Sequence, residues 1–196
     1  MAHKIRPENA ILEITDDVVI HYICQDGNFL TERDLDGGEL LPPEEVGTAK
    51  TGTAAAYIVQ GEGQRAIYCI AEGDEHVEEI NILQDFEFND GDGVWEPGQL
   101  SELGIEVLSG TKLAAMQVEE NSSLVISQAS SGVIQAVHRE SRDAPWQPDN
   151  GLPPTQPLPG AMIHAARVDD RVVVLYAHQD YSIHELSLVD GQWTGR

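Results

Sequence analysis

Arg65 and Glu79 stand fourteen residues apart in this chain, and so do Arg171 and Glu185. With Glu32, Trp95 and Trp193 they are the residues best suited to holding a polar ligand. A guanidinium donates and a carboxylate accepts, so the pair can satisfy vicinal hydroxyls while an indole face covers the apolar side of the same molecule. On extended chain the commoner outcome of such a pair is a cross-strand salt bridge. Trp95, Trp146 and Trp193 recur at equivalent places, which also fits plain packing.

Other chemistry is sparse. His164, His178 and His184 fall close together, but His184 alternates to the face opposite Ile183 and Glu185, which argues against one three-histidine metal centre. A single histidine acting as acid or base remains open. Cys24 and Cys69 read as buried free thiols, and His21 near Cys24 brings no activating neighbour that spacing reveals. There is no glycine-rich phosphate loop, nucleophile elbow or metal-ligand spacing, so neither a cofactor nor a metal is expected. Asn121-Ser122-Ser123 is a glycosylation sequon with no secretion signal ahead of it.

These residues must be positioned by β-strands, because no window carries sustained helical periodicity. Alignment on Glu32, Glu79, Ala136 and Glu185 gives four units separated by 47, 57 and 49 residues. Each unit opens on an Ala-rich strand, as in Ala54-Ala55-Ala56 and Ala165-Ala166, and continues with a Val/Ile/Tyr-rich strand such as Val172 to Tyr176. Alanine is depleted in strands, so its recurrence points to crowding around an axis. The repeat length and the turn residues at every gap predict an all-β fold, a β-propeller of four blades with four antiparallel strands each. The single domain covers 1–196, with repeats near 9–50, 54–108, 113–160 and 164–196. The fourth repeat looks short of its outermost strand, and residues 3–6 (His3 to Arg6) could supply it, closing the ring by pairing the two ends of the chain.

The 196 residues carry 34 acids against 11 bases, a formal net charge of −23. Nucleic acid and anionic membrane are therefore poor partners. The acids concentrate in first-to-second and third-to-fourth strand turns, which share one rim of an up-and-down blade. That rim reads as a solvated surface, with a hard cation such as calcium as the minor alternative. No apolar run is long enough to span a membrane and the start lacks a signal-peptide core, so a cytoplasmic protein is expected.

The run from Arg171 to Trp193 joins a Val/Tyr-rich strand, an Asp-containing turn, Ile183-His184-Glu185 and Asp190-Gly191-Gln192-Trp193. It resembles the blade of the fungal fucose-specific lectins, and weaker versions cover most of the chain. The resemblance implies a sugar site at each blade, built from a second-strand arginine, a third-strand glutamate twelve positions later and an aromatic from a neighbouring blade. Glu32, Glu79 and Glu185 match the glutamate, whereas Ala136 stands at the fourth place. The arginine positions hold Ile20, Ile67, Leu124 and Val173, with Arg65 and Arg171 two residues earlier. The family has six blades against four units here, so a closed four-blade monomer and a homodimer combining two chains both stay open. The expected partner is a glycan or another small polar ligand. The alternatives are a propeller repurposed as a cyclase or isomerase for an apolar metabolite, and a protein-interaction scaffold.

Overall fold

The computed structural model describes residues 11–14, 20–36, 38–60, 64–71, 80–119 and 122–196. They build four antiparallel sheets in chain order. The first holds β1 (Ile11–Ile14), β2 (Ile20–Asp26) and β3 (Phe29–Asp36), whose outer edge is shared by β4 (Glu39–Leu40) and β5 (Glu44–Thr48). The second holds β6 (Ala56–Gln60), β7 (Gln64–Ile70) and β8 (Asn81–Asn89), with β9 (Val94–Pro97) and β10 (Glu106–Val107) sharing the outer edge of β8 around a short 3-10 helix, Leu100–Leu103. The third is β11 (Ala114–Gln117), β12 (Ser123–Gln128), β13 (Ile134–Arg139) and β14 (Gln147–Asp149). The fourth is β15 (Ile163–Val168), β16 (Arg171–Ala177), β17 (Ile183–Val189) and β18 (Gln192–Gly195).

Strand alternation sends each sheet's two faces to different neighbours, so three apolar layers form between successive sheets. On β7, Ile67 and Cys69 face Ile23, Leu30 and Val46 of the first sheet. Its alternate residues Ala66, Tyr68 and Ile70 face Val125, Val137 and Trp146 of the third. The third layer joins Leu124, Ile126 and Ile134 to Val172, Val174 and Leu186. Because both faces of β7 are covered, its run from Ala66 to Ile70 is buried throughout. The inner strands abut in series, β1 against β6, β6 against β11 and β11 against β15, as the small residues on them require.

One expectation about the ends changes, and the other falls outside the described residues. The fourth sheet carries its own outermost strand: Asp190 and Gly191 both take positive φ, at 48° and 73°, the pair needed for a tight hairpin turn. That turn folds Gln192–Gly195 back on β17, and the backbone of Arg196 exchanges hydrogen bonds with Glu185 at 3.0 and 2.9 Å. The segment expected to close the ring, residues 3–6, lies outside the described residues, and among those described no sheet closes the first unit on the fourth. Both cysteines are free, and burial pushes the Cys69 thiol up to about 12, which leaves it inert at neutral pH. The acids of the third-to-fourth turns, including Asp36, Asp90, Asp92 and Asp190, are exposed. Among the described residues no helix is long and apolar enough to cross a membrane.

Candidate functional site

Glu32 sits mid-strand on β3 opposite Ile23, so its side chain enters the layer shared with the second sheet, where it is fully buried. Its carboxylate accepts from Tyr57 Oη at 2.6 Å, from Arg65 Nη1 at 2.5 Å and from the Trp95 indole Nε1 at 3.2 Å. All three donors come from the second sheet. Burial holds the Glu32 carboxyl above its ordinary range, opposed by the Tyr57 hydrogen bond and the Arg65 charge. Tyr57 is pushed up in turn, first by burial and then by the Glu32 charge.

The guanidinium of Arg65 lies over the Phe88 ring, 3.5 Å from its centroid, which fixes its plane. Beyond Glu32 it approaches Asp34 at 3.9 Å and Glu44 at 3.9 Å, while His21 Nδ1 and Asp34 Oδ1 pair at 2.7 Å. The Asp34 side chain is 17% exposed and that of Glu44 is 48% exposed, so this side of the cluster opens to solvent. Thus the structure joins Glu32, Arg65 and Trp95 across two sheets. Arg65 directs its charge to the glutamate of the preceding sheet, thirty-three positions earlier in the chain. Glu79 lies outside the described residues, and the third strand of its unit begins only at Asn81.

The acid equivalent to Glu32 in the second sheet is Asp85, in Leu83-Gln84-Asp85, a close match to Leu30-Thr31-Glu32. It is 2% exposed, accepts the Leu100 N–H at 2.9 Å, and packs so tightly on Gly98 that a Cβ there would lie 2.3 Å from the carboxyl. The Trp146 indole N–H faces this carboxylate without closing a hydrogen bond by distance and angle. Burial pushes Asp85 up to about 6, partly offset by the Leu100 N–H. Beside it Glu87 takes Arg139 and, at 3.0 Å, Arg142 Nε, and Arg139 lies over the Trp146 ring at 4.7 Å.

At the third layer Ala136 leaves no carboxylate, and its cross-strand partner Asp149 takes over, accepting the Trp193 indole N–H at 2.6 Å. A tryptophan from the following sheet therefore meets a carboxylate of the preceding one at every junction. Trp193 faces away from Glu185, since it pairs with Leu188 and joins the third apolar layer. Glu185 instead lies on the outer face of the fourth sheet with Arg171 at 2.9 Å, Ser187 Oγ at 2.8 Å and Arg196 at 2.7 Å, Arg196 doing most to hold its carboxyl below the usual range. Arg171 and Glu185 are thus a cross-strand pair within one sheet. Sequence reasoning missed Tyr57, His21, Asp34, Asp85 and Asp149. Only Asp85 left a visible signal, for with it the four units are 53, 51 and 49 residues apart, a steadier spacing.

No family model matches this sequence, and no curated protein matches it. Solved structures do. AofleA from Arthrobotrys oligospora aligns at a TM-score of 0.79 with 16% identity, over 96% of this chain and 56% of that one. The Aleuria aurantia lectin, described as a six-bladed β-propeller with a fucose recognition mode, aligns at 0.72 with 24% identity, over 95% of this chain and 61% of that one. The lectin BP39L from Burkholderia pseudomallei aligns at 0.71 with 16% identity, over 95% and 53%. This chain thus spans little more than half the length of each. The likeness makes the four sheets propeller blades.

Proposed function

We propose that the chain is a lectin-like propeller module that holds a carbohydrate, or a ligand of similar polarity, at the junction of its first two blades. The observation that carries this is the assembly of Glu32, Arg65 and Trp95 from adjacent blades, with Asp34 and Glu44 on the side that opens to solvent. Arg65 is held in place by a buried carboxylate and an aromatic face, so binding does not have to order it. A hydroxyl oxygen about 2.8 Å from each partner can bridge Arg65 to Asp34 or to Glu44, accepting from the guanidinium and donating to the carboxylate. The solved lectins that share the fold include one named for recognising fucose.

The same superposition supports an open arc of four successive blades over a closed four-blade ring. A six-blade ring turns about 60° per blade and a four-blade ring about 90°, so a chain curved for the tighter ring would not follow a six-bladed one along nearly its whole length.

A panel of immobilised sugars including fucosides tests the site. Wild-type protein should retain at least one of them, and Arg65→Lys should weaken that binding about tenfold or more, because an ammonium cannot reproduce the guanidinium fork. Arg171→Lys, which alters a pair on the fourth blade's outer face, should leave it unchanged. A flat panel from folded protein removes the reading.

A further inference from the structure

The β16–β17 hairpin tip gathers His178, Asp180 and His184, one donor atom of each lying within 4.8 Å of the others. The topology explains the meeting. His184 pairs across the strands with Tyr176, and His178, two residues beyond Tyr176, falls on the same face as a diagonal neighbour. The imidazoles stack at 4.0 Å with 14° between their planes. His164 pairs with Leu175 and therefore projects from the opposite face, so the group contains two histidines and a carboxylate, not three histidines.

Asp180 is held in an orientation that suits a ligand. Its Oδ1 accepts the Ser182 backbone N–H at 2.9 Å and the Ser182 hydroxyl at 2.5 Å, which leaves Oδ2 turned to His184 Nε2 at 3.7 Å. His178 Nδ1 lies 3.1 Å from the Asp180 carboxylate Oδ1 and 3.2 Å from the Asp180 N–H. A proton shared between this nitrogen and the carboxylate, or a metal ion that displaces it, would satisfy both groups.

We propose that His178, Asp180 and His184 form a three-ligand site for a borderline divalent transition ion of the zinc type, with water completing the tetrahedron. Bonds of about 2.0 to 2.2 Å to nitrogen and oxygen place neighbouring tetrahedral donors about 3.3 Å apart, within the span already present. Coordination requires the half-exposed His184 ring to turn so that its lone pair converges on Asp180, and the long Asp180 N–H contact to pass to water. Mixed imidazole and carboxylate donors select zinc-like ions over magnesium or calcium. The tip lies on the rim opposite the acidic turns, away from the oxygen-only groups that would gather hard cations. Among the described residues the other such cluster, His21 with Glu32 and Asp34, already has Arg65 as its cation.

Calorimetric titration of the metal-free protein with zinc, in excess magnesium and calcium, tests this, together with visible spectra of the cobalt-loaded form. One site is expected, with the intense absorption of tetrahedral cobalt. His178→Ala combined with His184→Ala should lower zinc affinity at least 100-fold, Asp180→Asn about tenfold, and His164→Ala not at all. Melting of the double variant without metal should stay close to wild type, since neither histidine is buried. Zinc binding that survives the double substitution, that follows Asp34→Asn instead, or that disappears in excess magnesium overturns the proposal.

Discussion

Glu32→Ala is expected to remove about 3 to 5 kcal/mol of folding free energy, the range for deleting one partner of a buried ion pair. The reason lies in what stays behind. Arg65, whose side chain is 10% exposed, would keep its charge over the Phe88 ring with no carboxylate at 2.5 Å, and the Tyr57 hydroxyl and Trp95 indole N–H would lose their acceptor. Each orphaned donor costs about 1 to 3 kcal/mol when water cannot reach it. Glu32→Gln should fall between, because its amide oxygen still accepts from one neutral donor while the arginine stays unbalanced. Urea unfolding of the three proteins at constant pH measures this. A loss below about 1 kcal/mol for Glu32→Ala would mean that water already enters the junction.

Asp85→Asn is expected to erase a pH dependence of about 3 kcal/mol. The folded-state carboxyl is raised to about 6 from an ordinary 3.8, so the folded protein binds this proton more tightly than the unfolded chain does. The contribution is therefore complete below about pH 3.8 and is lost as the pH climbs through about 6; at 1.36 kcal/mol per unit the whole window amounts to about 3 kcal/mol. An asparagine has no ionised form to bury and can still accept the Leu100 N–H. Unfolding free energies at pH 4 and pH 7 should thus decline less in the variant, by about 2 kcal/mol, since pH 4 already lies just above the ordinary 3.8. The other acids act on both proteins alike and cancel in the comparison. Equal declines would place Asp85 in contact with water.

The architecture was legible where the chain repeats a physical requirement. Small residues mark the inner strands, Ala56 on β6, Ala114 and Ala115 on β11, and Ala165 and Ala166 on β15, and the β-rich runs behind them became β7, β12 and β16. What spacing could not show is which sheet a side chain faces once a strand is covered on both sides. Arg65 illustrates this: its partner Glu32 is 33 residues earlier in another blade, and only the packing of β7 against the first sheet reveals it. The second unit was hard to read for a different reason. The chain between Ile70 and Asn81 is longer than a tight turn, and Val77-Glu78-Glu79 within it imitates the Ile-His-Glu185 pattern, which hid Asp85. Asp149 was invisible because the carboxylate had moved to the strand next to Ala136. The outermost fourth strand was overlooked although Asp190-Gly191 is a strong hairpin signal.

The junctions also differ in what they could offer a ligand. At the second, Glu87 is occupied by two arginines, and at the third Asp149 is occupied by the Trp193 indole and the Gly151 N–H, whereas the first keeps Asp34, His21 and Glu44 near a fixed guanidinium. The three tryptophans report separately on the three junctions, because each indole N–H is directed at that junction's own carboxylate. Titrating nitrogen-15 tryptophan-labelled protein with sugars retained by the panel, and following the three indole signals, is the most direct measurement. Movement of the Trp95 signal, with Trp146 and Trp193 still, is the predicted result. Saturating sugar that leaves Trp95 unmoved, or shifts Trp146 or Trp193 instead, would contradict a ligand held between the first and second blades.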